Sequence, residues 1–150
     1  MTKDRETRKN RMTVKRYTDS VYVSARERVN KRSHTLIEGA PGVEQVTTSC
    51  GGYSTGVRFA DTYDAEEVAA RMVIIRAEQA GVDPADVALQ GDIAKETRVE
   101  VLRTLHKEAA LRGAEATLRL RQAQEDARQS TERANWLWKK IEEEIRQQEA

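Results

Sequence analysis

The side chains best suited to nucleophilic or metal chemistry in this sequence are the thiol of Cys50 and the imidazoles of His34 and His106. A metal site needs several His, Cys or carboxylate ligands at defined spacing. The sequence contains no CxxC, HxxxH or ExxH arrangement. We therefore expect neither a metal centre nor a cofactor.

Cys50 precedes a Gly51-Gly52 pair, and His34 would be its candidate base in a small Cys-dependent enzyme. The hairpin predicted around the two glycines instead puts Cys50 on a semi-apolar face beside Tyr53, where a small buried Cys is ordinary. With few aromatic residues to line a pocket, we expect no small-molecule substrate. The sequence thus predicts a protein that is not an enzyme, and the Cys-dependent enzyme stays as an alternative.

Basic residues are concentrated at the start of the chain. Residues 1–35 carry 11 Lys or Arg and 4 acidic residues, a net charge of +7, whereas residues 36–91 have a net charge of −6 and residues 92–150 are balanced. Such a segment is typical of binding to an anionic partner, either nucleic acid or an acidic protein surface. The candidate contact residues are Lys3, Arg5, Arg8, Lys9, Arg11, Lys15, Arg16, Arg26, Arg28, Lys31 and Arg32.

Two interpretations of this basic segment stay open. Tyr17 and Tyr22 lie between its two clusters and would suit stacking on bases, which favours nucleic acid. No helix-turn-helix, zinc-finger or RNA-recognition pattern accompanies them. The basic residues would alternatively neutralise the acidic middle of the same chain.

Composition limits the class of protein. Hydrophobic residues make up 38% of the 150 residues and charged residues 34%, so the buried core must be small for the length. A single Cys excludes an internal disulfide and indicates a reducing compartment. No apolar run approaches the roughly 20 residues of a membrane span. We expect a cytoplasmic protein with no membrane association.

A β-hairpin is the clearest local prediction. The segments VEQVTTSC and YSTGVRF flank Gly51-Gly52, a pair that accepts the positive φ angles of a two-residue turn. This turn sets the register, with Cys50 opposite Tyr53, Thr48 opposite Thr55 and Val46 opposite Val57. Together with a strand around 21–25, the hairpin predicts a small antiparallel sheet between residues 13 and 60.

Helices follow the sheet in the sequence. Asp64 is a candidate N-cap and Gly81 a C-terminal stop for a helix over 64–80, whose Val68, Met72 and Ile75 form a stripe that covers the sheet. Pro84 starts a short helix that ends by Gly91.

A long helix is predicted from Asp92 to the C-terminus, where helix-forming residues dominate. Its heptad positions, including Val99, His106 and Leu102 in the first turns, are mostly small residues further on. A dense apolar cluster follows near the end, and we name it the tip cluster. Its residues are Trp136, Leu137, Trp138, Ile141 and Ile145.

The tip cluster is the predicted partner-binding site, because Trp is enriched at interaction hot spots. Alternatively the helix breaks at Gly113 and folds back, so that both indoles complete the chain's own core. The sequence leaves the choice open.

These features predict an α+β fold with a small antiparallel sheet, a covering helix and a long, coiled-coil-like C-terminal helix. The expected organisation is a mobile basic tail over 1–12, a small α+β domain over 13–91 and a helical segment for association over 92–150. The predicted function is a non-enzymatic binding or assembly protein that docks on a larger partner, or self-associates, through its C-terminal helix. A small accessory factor, for example one encoded by a phage, fits this organisation. A nucleic-acid-binding regulator with a dimerising helix is the alternative.

Overall fold

The structure is a computed structural model that describes residues 11–90 and 92–150. Within them the chain forms an α+β fold, as predicted. The chain divides into two compact units, Met1–Lys107 and Glu108–Ala150. The strands and helices are β1 (Met12–Arg16), β2 (Ser20–Ala25), α1 (Lys31–Glu38), β3 (Val43–Ser49), β4 (Ser54–Phe59), α2 (Ala65–Gln79), α3 (Pro84–Leu89) and α4 (Lys95–Glu149).

The four strands form one antiparallel sheet in the order β1-β2-β4-β3. The predicted register of the hairpin is confirmed, with Thr48 opposite Thr55 and Val46 opposite Val57. Met12, which the sequence analysis assigned to the tail, begins β1 and is buried. Residues 1–10 of the predicted tail lie outside the described residues.

The turn of this hairpin begins at Cys50, and the Tyr53 N–H donates to the Cys50 carbonyl over 3.3 Å. Gly51 and Gly52 have φ angles of 66° and 96°, which glycine adopts without a steric penalty. The predicted burial of Cys50 is wrong, because its side chain is exposed. The turn lies past the last paired residues of the ladder, and even Thr48 on the edge strand β3 is exposed.

One face of the sheet is buried under α2. Alternate residues of the two central strands supply it, such as Val21 and Val23 on β2 and Val57 on β4. The predicted stripe of α2 is buried, but the buried surface is wider and includes Ala69, Ala70, Val73, Ile74 and Ala77. The additional burial arises because α1 and α3 also pack against α2.

The other face of the sheet is named the open face. Its side chains alternate with those of the core, and the ladders align them in rows across the four strands. The open face consists of Thr13, Lys15, Ser20, Tyr22, Ser24, Gln45, Thr47, Ser49, Ser54, Gly56 and Arg58.

The predicted ends of α2 and α3 are confirmed within a residue or two. Asp64 Oδ1 accepts the Glu66 N–H over 2.8 Å, and Gly81 follows α2 with a φ angle of 70°. Asp83 caps α3 in the same way at 3.0 Å, with Pro84 in the first turn.

Helix α1 was not predicted and interrupts the region assigned to the sheet. Asn30 caps it by accepting the Ser33 N–H over 2.8 Å. Ile37 is fully buried and Ser33 nearly so, one helical turn apart. Since Ser33 is polar, Ile37 is the one buried apolar residue of this helix, which is too little for the sequence pattern to indicate a helix.

The long helix is confirmed, and it passes Gly113 without interruption. In its first turns the predicted heptad seam is wrong. Thr97 and Val101 are fully buried, whereas Val99 and His106 are exposed. Residues spaced by four, rather than the heptad positions, therefore face the core at this end of α4. Across the described ranges no helix has the length and apolar character that crossing a membrane requires.

Candidate functional site

The tip cluster lies on α4 within the unit Glu108–Ala150 and is exposed. Its five side chains retain between 43% and 60% of their accessible surface. At about 100° per residue, Leu137, Trp138, Ile141 and Ile145 fall within an arc of about 100°. Exposed apolar groups grouped on one face indicate an interaction surface.

Trp136 lies off this arc, about 140° around the helix from Ile141. The guanidinium of Arg133 lies 4.7 Å from the centroid of its ring, and the Lys140 ammonium 5.6 Å. Such cation–π contacts contribute roughly 0.5–1 kcal/mol each at exposed sites. Trp136 remains 49% exposed despite these contacts, and the other four residues form the arc around Ile141.

A stripe of residues that are small except for Leu120 continues this face toward the start of the same unit. All of its members are exposed. Their spacing of three and four keeps them on the side of the helix that carries Ile141. We name this set the small-residue stripe; it consists of Ala116, Leu120, Ala123, Ala127, Ser130 and Ala134.

The two flanks of the stripe differ in charge. One flank carries four cations and a single acid, Asp126. The other carries Thr117, Gln124 and Thr131, and then Trp138 and Ile145 of the tip cluster. The four cations are Arg112, Arg119, Arg133 and Lys140.

The basic segment is the second predicted site, and the structure separates its residues into groups. Lys3, Arg5, Arg8 and Lys9 lie outside the described residues. Two others are paired with acids of their own chain: Arg11 Nε lies 3.5 Å from Asp92, and Arg16 forms an ion pair with Glu66. Only Arg16 contacts the acidic middle of the chain, since Asp92 belongs to the balanced segment 92–150. For Arg16, internal neutralisation is the better of the two open interpretations.

The remaining predicted cations are exposed, and no carboxylate within residues 11–90 and 92–150 forms an ion pair with them. Lys15 belongs to the open face. The others lie in the loop between β2 and α1 and in the first turn of α1, and we name them the basic loop; they are Arg26, Arg28, Lys31 and Arg32.

The buried guanidinium of Arg76 holds the backbone of this loop. Arg76 lies on the side of α2 that packs under the sheet, and only 1% of it is exposed. It donates to the Thr55 hydroxyl and, over 2.6 Å, to the Glu27 carbonyl. A third contact reaches the Tyr53 carbonyl at 3.4 Å. Burial lowers the pKa of Arg76, and the negative charge of Glu27 partly opposes this effect.

Gln79, one turn further along α2, fixes the same loop. Its amide donates to the Arg28 carbonyl over 2.6 Å and accepts the Asn30 N–H over 3.1 Å. The Val29 N–H donates to the Gly52 carbonyl of the hairpin turn over 2.7 Å. The backbone of the basic loop is therefore held from two sides.

Sequence reasoning missed both Arg76 and Gln79. The available signal was the position of Arg76 inside the run MVIIRA, where every neighbouring residue is apolar. A charged residue in such a run is buried only when its donors find partners. Those partners lie on β4 and in the β2–α1 loop, which no local pattern connects to α2.

The structure does not connect Cys50 with a base. His34 Nδ1 lies 3.1 Å from Glu38 Oε1 on α1. His106 is exposed on α4. No cluster of three His, Cys, Asp or Glu side chains able to hold a metal ion occurs in the part of the chain that the structure describes.

The reactivity of Cys50 tests the enzyme alternative. We expect iodoacetamide to modify Cys50 in the native protein no faster than it modifies a thiol in a short peptide, because Cys50 is exposed and no base of residues 11–90 or 92–150 contacts it. Mass spectrometry of the native and urea-unfolded protein measures both rates. Modification at least about tenfold faster in the native state would indicate an activated nucleophile and restore the enzyme alternative.

No family model, curated protein or solved structure matches this chain.

Proposed function

We propose that this protein is a non-enzymatic assembly protein that associates through its C-terminal helix α4. The observation that carries the proposal is the continuous exposed face formed by the small-residue stripe and the tip cluster. A helix with such a face gains apolar burial, about 25 cal/mol per Å², only by packing on another surface. A cytoplasmic location is part of the proposal, because the single thiol suits a reducing compartment.

A second copy of the chain is the partner that we favour, packed in parallel. In a parallel pair, the cationic flank of one stripe lies against the neutral flank of the other. An antiparallel pair centred on Asp126 would instead oppose Asp126 to Asp126, Arg119 to Arg133 and Arg112 to Lys140. These like-charge contacts are destabilising by roughly 0.2–0.5 kcal/mol each.

Light scattering coupled to gel filtration tests self-association. We expect a mass of twice 17.0 kDa that falls toward 17.0 kDa on dilution. A reducing agent must be present, because the exposed Cys50 would otherwise join two chains covalently. A mass of 17.0 kDa at every concentration would contradict self-association and leave a different protein as the partner of α4.

The basic loop supports a second function, binding of an anionic partner. Four cations lie within seven residues, and the contacts of Arg76 and Gln79 fix the backbone that carries them. A preorganised loop loses little conformational entropy on binding. We propose this activity as an addition to assembly, not as a replacement for it.

A further inference from the structure

We propose that the open face of the sheet binds nucleic acid through its phosphodiester backbone. The sequence analysis predicted phosphate contacts between residues 3 and 32, Lys15 among them. The sheet places Lys15 on the same surface as Arg58, which was not predicted. The ladders align Lys15 with Tyr22, Gly56 and Thr47 across all four strands. Arg58 lies in the next row.

None of the paired positions in these rows is acidic. Glu44, the extra residue of the β3 bulge between Val43 and Gln45, reaches the open face and forms an ion pair with Arg58 at 3.5 Å. Asp19 is in the β1–β2 turn at one end. The remaining positions are hydroxyl, amide, tyrosine or glycine residues. A solvated sheet face needs polar residues but has no need to exclude carboxylates. Glu44 is the one carboxylate that contacts a cation of these rows, and Lys15 has no ion pair among the described residues, which fits an anionic ligand.

Most side chains of the open face are short, so they project little from the sheet, and the Tyr22 ring lies across them. A Cβ on Gly56 would clash with the Tyr22 ring, so the glycine provides the space for the ring. Tyr17, which is 57% exposed, packs edge-on against Tyr22 with 5.6 Å between the centroids. The two rings offer stacking surface beside a cation, a combination found where proteins bind single strands.

Further cations adjoin one end of the open face. There the Ser24 hydroxyl donates to the Ser54 hydroxyl over 3.2 Å, and the Ala25 N–H donates to the Tyr53 carbonyl over 3.0 Å. The basic loop continues directly from this end of β2. Its Arg28 guanidinium lies 5.3 Å from the centroid of the Tyr53 ring.

Nucleic acid fits this arrangement better than an acidic protein surface does. Its phosphates are regularly spaced, which suits a row of cations and hydroxyls, and its bases have flat faces that stack on tyrosine rings. Four-stranded sheets with exposed aromatic residues are an established geometry for RNA recognition, and strands also read DNA grooves.

Fluorescence anisotropy with labelled oligonucleotides tests the proposal on the full chain. A single strand of about 20 nucleotides and the corresponding duplex serve as separate probes, titrated across a salt series. We expect binding at low salt that weakens as salt rises. Replacing Lys15 and Arg58 with Gln together should weaken binding about tenfold and reduce the salt slope by about 1.4 for a single strand or 1.8 for a duplex.

The matched control is Lys107→Gln with Arg103→Gln on α4. It removes the same charge, and Arg103 pairs with Glu100 at 3.7 Å much as Arg58 pairs with Glu44. The control should bind as the unmodified chain does. Tyr17→Ala distinguishes single-strand binding from duplex binding. Loss of stacking should weaken binding to the single strand and leave binding to the duplex unchanged.

Three results would overturn the proposal. The first is no binding of either probe at low salt. The second is equal weakening by the open-face pair and its control, which would show a nonspecific charge effect. The third is a loss of binding on replacing Lys3, Arg5, Arg8 and Lys9 with Gln while the open-face variant binds normally, which would assign the contact to those four residues.

Discussion

Replacing Arg76 with Ala is expected to lower the free energy of unfolding by about 3 kcal/mol. The Thr55 hydroxyl and the Glu27 carbonyl accept hydrogen bonds from Arg76, and each buried acceptor left without a donor costs about 1–3 kcal/mol. Removing the charge recovers part of its desolvation penalty, which keeps the expected loss below the sum of these contributions. Urea denaturation followed by circular dichroism measures it.

Two further variants identify the cause of that loss. Arg76→Met retains most of the side-chain volume, so a similar loss would assign the effect to the unpaired acceptors rather than to a cavity. Glu78→Ala changes an exposed residue of the same helix and should shift stability by less than about 0.5 kcal/mol. A loss of less than about 1 kcal/mol for Arg76→Ala would show that desolvation of the buried guanidinium cancels its hydrogen bonds.

Replacing Ile141 with Glu is expected to raise the dissociation constant of self-association about 100-fold or more. Ile141 lies at the centre of the face formed by Leu137, Trp138 and Ile145, and hot-spot residues contribute 2 kcal/mol or more. In a parallel pair the two introduced carboxylates would also oppose each other. A dilution series followed by sedimentation equilibrium measures the constant.

Asn135→Glu is the matched control for this substitution. It introduces the same side chain into the same region of α4, but about 120° away from Ile141 around the helix. Both residues are exposed, so neither change should reduce the helix content measured by circular dichroism. Equal dissociation constants for the two variants would contradict association through the tip cluster.

Local signals in the sequence predicted much of the fold. The Gly51-Gly52 pair gave the correct ladder of β3 and β4, because a turn of known length leaves a single register. Asp64 and Gly81 marked the ends of α2 for a similar reason, since capping depends on neighbouring residues. The long run of helix-forming residues predicted α4.

The errors arose where tertiary contacts override local pattern. Helix α1 depends on burial of Ile37 against α2, which its own polar sequence does not indicate. The seam in the first turns of α4 was wrong because the core selects Thr97 and Val101.

For the candidate sites too, sequence analysis identified the residues but not the contacts that depend on the folded structure. The tip cluster was recognised from composition alone, but the cations that contact Trp136 emerged only from the helix geometry. For the basic segment, sequence analysis identified the cations but not the acidic residues that pair with them. Arg16 forms an ion pair with Glu66, whereas the adjacent residue Lys15 lies on the opposite face of the same strand.

The order of the strands places β1 and β3 at the two edges of the sheet. A regular, apolar edge strand has unpaired backbone N–H and C=O groups that can pair with an edge strand of another molecule, and repetition of this pairing forms fibres. Here β1 has only five residues and includes Lys15, and a bulge between Val43 and Gln45 disrupts the hydrogen-bonding pattern of β3. Both features oppose polymerisation through the backbone.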